Sequence, residues 1–212
     1  TLNGTTTVTA PAYNWGYNPL NYSVVEGAYS SDPYTPATRI TEFKNLIETY
    51  AKAGIRIIMD VVYNHVASAA NSNLTRIVPQ YYLRTNAEGA YTDGTGVGNE
   101  VASERPMARK LIVDSVKFWA SEYQVKGFRF DLMGCLDVTT MRAVKDALYD
   151  IDPQIVVYGE GWTGGSSGIT TTPATSDNVY ASLTNSNGKG AIGCFNDGGR
   201  DGTKGNTTYA DV

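Results

Sequence analysis

Asp60, Asp131 and Glu160 each stand where an apolar run stops, near the ends of residues 55–65 (IRIIMDVVYNH), 125–134 (VKGFRFDLMG) and 155–162 (IVVYGEGW). Neighbouring strands run about 4.8 Å apart, so acids at the ends of adjacent strands can approach to ~5–5.5 Å, the separation at which a retaining glycosidase works. In that chemistry one carboxylate attacks the anomeric carbon while its partner delivers and later recovers a proton. Arg129 precedes Asp131 by two positions and shares its strand face; a guanidinium there aims the aspartate, which suits a nucleophile. Glu160 is followed closely by Trp162, and an apolar indole is the neighbour that a proton donor needs. Taken singly, an acid at a strand end is more often a helix cap, a turn former or an ion-pair partner. Recurrence at equivalent ends of successive strands is what lifts these above that reading. The same arrangement can hold Mg²⁺ in a barrel enzyme that stabilises an enediolate, but no strand-end Lys is present as base. His65 is the chain's one histidine, and a lone His reads first as a hydrogen-bond donor.

The elements that must position these residues alternate. Continuous Val/Ile runs argue for parallel strands covered on both faces, and helical periodicity lies between them, the pattern of βαβ units. Ile40, Phe43, Leu46, Ile47 and Tyr50 recur at helical spacing, with Thr38 as N-cap and Gly54 as stop. A second helix opens near Ser103 and turns Met107, Leu111, Ile112, Val116 and Trp119 inward. A third starts at the cap Asp137, carries Met141, Val144, Leu148 and Ile151, and is halted by Pro153. Residues 191–195 supply a short fourth strand. Right-handed crossovers then set the strands side by side with their acidic ends on one rim, where parallel α/β folds place their chemistry. Two stretches interrupt this order: residues 66–102, a long polar excursion read as functional, and residues 163–190, rich in Gly, Thr and Ser. The whole of residues 1–212 reads as one domain.

The chain has 212 residues, 42% of them hydrophobic, and a formal charge of −4. That suffices for a core of ordinary domain size, and without a basic stripe it argues against nucleic acid or an anionic membrane as partner. No run approaches the roughly 18 apolar residues of a membrane span. A neutral ligand fits better, and Tyr13, Trp15, Tyr17, Tyr22, Tyr29 and Tyr34, crowded into a Gly/Asn/Pro-rich stretch, offer the flat, polar-edged rings that suit sugars. Cys135 and Cys194 lack zinc-ligand spacing and read as small buried hydrophobes rather than a disulfide. A surface rich in Thr, Ser, Asn and Gly and poor in Lys leans towards an extracellular or cell-surface location.

These residues resemble the type I pullulanases of the α-amylase superfamily of glycoside hydrolases. Asp60-Val61-Val62-Tyr63-Asn64-His65, Gly127-Phe128-Arg129-Phe130-Asp131 and Tyr158-Gly159-Glu160-Gly161-Trp162 are similar to that family's ordered signatures, and Tyr13-Asn14-Trp15-Gly16-Tyr17-Asn18-Pro19 to its loop motif, with Asn18 where Asp is more usual. The likeness extends through Phe195-Asn196-Asp197 and Arg200-Asp201. It implies a partial (β/α)₈ TIM barrel, about strands three to six, that acts on α-1,6 linkages of α-glucans. Asp131 would be the nucleophile, Glu160 the acid and base, and Arg129 the orienting residue. Asp60 and His65 would bind the sugar next to the cleaved bond, Tyr17 would stack on it, and Trp15 and Trp162 would bind further substrate. Asn64 would brace the site or contact a structural Ca²⁺; the chemistry itself requires no cofactor. The family's fourth signature, a His followed by an Asp, is absent from these residues. We therefore expect an internal segment that hydrolyses nothing alone and whose partner is the remainder of its own barrel. The alternatives are a non-catalytic α-glucan-binding remnant and an α-1,4-acting amylase relative.

Overall fold

In the computed structural model, which describes residues 15–182 and 188–205, the apolar runs become short parallel strands: β1 (Ile58–Val61), β2 (Gly127–Phe130), β3 (Val156–Gly159) and β4 (Gly193–Cys194). They lie side by side in chain order. Parallel neighbours need long crossovers, and helices supply them. Helix α1 (Pro36–Lys52) precedes β1, α2 (Asn73–Ile77) and α3 (Pro106–Glu122) lead to β2, α4 (Val138–Ile151) to β3, and α5 (Ser176–Ala181) to β4, after which α6 (Asp197–Lys204) follows.

Helix α4 forms as its sequence dictates. The Asp137 side chain accepts from Thr140 N–H, capping the first turn. Met141, Val144 and Leu148 are wholly buried, while Ile151 in the last turn is exposed. The other two long helices start elsewhere than expected. Helix α1 starts with Thr35, not Thr38, in the N-cap position and without a side-chain capping bond, because Pro36 at the first helical position has no N–H to satisfy. Helix α3 opens at Pro106, not near Ser103, whose hydroxyl instead bonds Asp137.

The apolar stripes are also narrower than their spacing suggested. Of the α1 stripe only Ile47 is fully buried; Phe43 packs on Trp119 and Tyr123, and Ile40, Leu46 and Tyr50 face water, because α3 offers α1 only that aromatic patch. On α3 the buried line is Ala108, Ile112, Ser115, Val116, Trp119 and Ala120. Leu111 is half-buried and Met107, one position off that line, is exposed.

Strand alternation gives the sheet two unlike faces. Met59, Val61, Phe128, Phe130 and Val157 point to the helices, with both phenylalanines fully buried. On the other face Ile58, Gly127 and Val156 share one register level and Asp60, Arg129 and Tyr158 the next. Ile58 and Val156 are 45% and 46% exposed, so the expectation of cover on both faces fails for this side among the described residues. It is the face that a closed barrel turns inward. A Cβ at Gly127 would stand 2.8 Å from the Ile58 side chain, so a larger residue there would have to displace it.

The two long connections carry structure of their own. In residues 66–102 Ser72 caps α2, and isolated bridges join Leu83 to Val101 and Thr85 to Tyr91. Asp93 bridges Ser166 and Asp137 bridges Pro173, binding both the first connection and the cap of α4 to residues 163–175. Cys135 and Cys194 are free thiols, the first buried and the second partly so. No helix among the described residues is long and apolar enough to cross a membrane.

Candidate active site

Backbone pairing continues one residue past the strands, with Asp131 N–H donating to Val61 O and Glu160 N–H to Phe130 O. This fixes the two acids next to each other on the carboxyl rim. One guanidinium gathers the acids: Arg129 Nη1 lies 2.8 Å from Asp60 Oδ1 and 2.9 Å from Asp131 Oδ1, and Nη2 lies 2.7 Å from Glu160 Oε1. Burial opposes the charge of Arg129, but the hydrogen bonds it donates to Asp60 and Asp131, with the charges of Asp60 and Glu160, outweigh it and push its pKa up. The rings of Tyr17 and Phe195 flank it at 5.9 Å and 5.6 Å, a favourable setting for a cation.

Each acid is held at its second oxygen by a different neighbour. Asp131 Oδ2 accepts from Asn64 Nδ2 at 2.9 Å, and the same amide group reaches the Asp131 carbonyl at 2.7 Å. Glu160 Oε2 accepts from Leu132 N–H at 2.8 Å. Leu132 adopts φ +40°, a left-handed conformation costly for a branched side chain, and that turn is what aims its N–H at Glu160. Charged and polar groups thus meet Glu160 where the sequence suggested an apolar one; the Trp162 ring packs instead 6.2 Å from Phe195.

Asn64 is buried, and its Oδ1 sits 2.5 Å from His65 Nδ1. A calcium ion binds through oxygen, and this amide oxygen is already turned to the imidazole, so the geometry fits a brace. Among the described residues no group of three or more His, Cys, Asp or Glu side chains could hold a metal ion. His65 is 3% exposed, and burial pushes its pKa down against a weaker upward pull from Asp131. With Nδ1 donating to Asn64, the neutral ring leaves Nε2 as an acceptor, and that nitrogen is buried with no partner among the described residues.

Tyr17 donates to Asp60 Oδ2 at 2.6 Å, a bond that with burial pushes its hydroxyl up to about 12. Trp15, on the same loop, is exposed, whereas Tyr13 and Asn14 of that motif lie outside the described residues. Trp162, Ser176, Cys194, Phe195, Asn196 and Asp197 line a cavity of about 400 Å³. Arg129 thus collects Asp60, Asp131 and Glu160, with Asn64, His65 and Tyr17 around them and Trp15 out on the exposed loop. Two participants were missed. The Leu132 amide left no trace in the sequence, whereas Phe195 fell within the family likeness and at the end of the short apolar run 191–195 but was given no role there.

Behind this rim lies a second ionic cluster. Arg84, 3% exposed, pairs with Glu100 at 2.7 Å and with Glu104 at 2.8 Å. Glu100, wholly buried, also accepts from Thr92, Ser167 and the Gly168 N–H.

No protein-family model matches the chain. The pullulanase of Bacillus subtilis is 47% identical over 198 residues, covering 93% of this chain and 27% of that protein. Chloroplastic pullulanase 1 of Arabidopsis thaliana is 39% identical over 209 residues, covering 93% and 21%. The crystal structure of the Paenibacillus barengoltzii pullulanase in complex with maltohexaose and alpha-cyclodextrin matches with a TM-score of 0.85 at 48% identity, over 92% of this chain and 29% of that one. The chain therefore spans about a quarter of the length of the curated relatives it matches, and its four-stranded sheet with flanking helices is part of a barrel. With the motifs in order along one rim and this likeness over nearly all its residues, the chain is homologous to one segment of the type I pullulanases.

Proposed function

We propose that the intact protein is a retaining glycoside hydrolase that cleaves α-1,6-glucosidic bonds in pullulan-type or branched α-glucans. The observation that carries this reading is the single Arg129 guanidinium holding Asp131 and Glu160 on adjacent strands. Two carboxylates bound to neighbouring nitrogens of one planar group converge as the double-displacement route requires.

In this reading Asp131 Oδ attacks the anomeric carbon and a C–O bond forms as the glycosidic C–O bond breaks. Glu160 gives its proton to the departing oxygen. A water then loses a proton to Glu160 and attacks the same carbon, which frees Asp131 and restores both acids. Arg129 aims the nucleophile, and Asn64 holds its second oxygen. Asp60 and His65 bind the sugar at the cleaved bond, Tyr17 stacks on that sugar, and Trp15 and Trp162 extend the contact. The Trp15-Gly16-Tyr17 loop and the pullulanase relatives support the α-1,6 assignment. The Thr/Ser/Asn-rich, Lys-poor composition supports action outside the cell or at its surface.

Calcium enters only as a structural ion. If Asn64 ligates one, chelation lowers the melting temperature; if its amide serves Asp131 and His65, chelation leaves it unchanged. With Ile58 and Val156 open to water on the inner face, residues 1–212 by themselves are expected to release no reducing sugar from pullulan. The decisive assay uses the intact protein. Maltotriose as the product from pullulan supports the reading, and an intact, folded protein that leaves pullulan uncut while shortening linear α-1,4 glucan overturns the linkage.

A further inference from the structure

Ser115 lies on α3, far from the acids in sequence and 2% exposed, yet its hydroxyl is the meeting point of two parts of the rim. It stands 2.8 Å from the Tyr63 hydroxyl, 2.8 Å from the Ser23 hydroxyl and 3.4 Å from the Tyr22 carbonyl. One helical turn on, Trp119 Nε1 donates to the same carbonyl at 3.1 Å. The Tyr22 hydroxyl in turn donates to the His65 carbonyl at 2.7 Å, and its ring meets Tyr63 edge-on at 5.2 Å. Tyr22 is thus tied at both ends, by its main chain to α3 and by its side chain to the residue that follows Asn64.

The loop anchored in this way has no helix or strand from residue 15 to residue 26. It carries Tyr17, whose hydroxyl must reach Asp60. A segment without regular hydrogen bonding holds one shape only when outside groups fix it. The further tie from Ala67 N–H to Pro19 O also joins this loop to the stretch just after His65. An ordinary core serine on a helix bonds its own preceding turn; this one spends its hydroxyl across the structure.

We infer that Ser115, with Tyr22, is a positioning pair that sets Tyr17 against Asp60 and so governs how well the sugar is bound rather than how fast its bond is broken. The inference rests on the glycosidase reading above. It assigns Ser115 no contact with substrate: the effect passes through Tyr22 and the loop to Tyr17.

The test is a double-mutant cycle in the intact protein with pullulan as substrate. Ser115→Ala should raise KM roughly three- to tenfold, the size of losing one or two net hydrogen bonds, with kcat changed by less than about twofold. In a Tyr17→Ala background the same substitution should leave KM unmoved, since the side chain it positions is gone. Tyr22→Phe, which loses only the hydroxyl bonded to His65, gives an independent arm that keeps the core filled, and it should show the same dependence on Tyr17. A melting temperature that falls equally in both backgrounds marks the stability cost and cannot imitate this pattern. If the KM effects of Ser115→Ala or Tyr22→Phe persist undiminished beside Tyr17→Ala, or if kcat rather than KM falls, the inference is overturned. An unmutated protein that leaves pullulan intact would sink the glycosidase reading instead.

Discussion

Two arginines organise acids in this molecule, and they do so for opposite ends. Arg84 is 3% exposed and its partner Glu100 is wholly buried, with each Glu100 oxygen met by donors from two different connections. Arg129 has 14% of its side chain exposed, and the Asp60 side chain beside it is 44% exposed. The Arg84 cluster joins residues 84–104 to Ser167 and Gly168 and has nothing left to offer a ligand. The Arg129 cluster sits on a rim that opens to water, and the nearby His65 Nε2, though buried, has no hydrogen-bond partner among the described residues. A buried ion pair whose lone pairs are all satisfied is a staple, costly to break singly. An ion cluster with open coordination at a strand rim is chemistry in waiting.

That contrast can be broken at either end. The largest effect belongs to the nucleophile: Asp131→Asn in the intact protein should cut kcat by roughly 10⁴-fold or more while oligosaccharide affinity and melting temperature change little, read by sugar release and calorimetry. Glu160→Gln should cost about 10²–10⁴-fold, and least with substrates whose leaving group needs no proton. At the staple the signs reverse. Glu100→Ala should cost about 3–5 kcal/mol of stability because it takes one of two carboxylates from a buried guanidinium and leaves the Thr92, Ser167 and Gly168 donors without their acceptor, with kcat per folded molecule close to the parent value; denaturant unfolding measures the first and active-site titration the second. A collapse of kcat with unchanged stability in Glu100→Ala would erase the distinction between the clusters.

The smallest effect is a pH dependence at the rim. Burial lowers the folded pKa of His65 from 6.5, so between that value and the folded one the unfolded chain binds more protons, and stability falls as the pH falls. His65→Gln should flatten that decline below about pH 6.5 and leave stability at pH 8 little altered. An unchanged slope in thermal melts across this range would remove the charge penalty from His65.

Sequence made the chemistry-bearing side chains of the rim legible because parallel strands end abruptly and polar side chains there cannot hide inside a core. The same pattern marked Asp60, Asp131 and Glu160 as candidates for one site, and Arg129 as the partner of Asp131 through the period of two; that the same guanidinium also reaches Asp60 and Glu160 appears only in the fold. What it did not show was set by packing in three dimensions. Ile40, Leu46 and Tyr50 have helical spacing but no described neighbour wide enough to cover them, so periodicity overstated the α1 interface. Thr38 lost the N-cap position to Thr35 because a proline fixed where α1 begins. The open inner face, with Ile58 and Val156 in water, cannot be told from a covered one by a run of apolar letters. Nor can composition reveal that Glu160 receives a main-chain N–H, since Leu132 offers it only through a strained turn. The staple at Arg84 was invisible for the same reason: Glu100 looks like any loop acid until Ser167 and Gly168 are brought against it.

The most direct test of the account is to trap the intermediate. The intact protein, incubated with a fluorinated glucosyl donor that forms the glycosyl ester quickly and releases it slowly, is digested and mapped by mass spectrometry. The account predicts one added glucosyl unit on the peptide containing Asp131, absent in Asp131→Asn. An adduct on Glu160 or Asp60, or full turnover of the donor by Asp131→Asn, would contradict it.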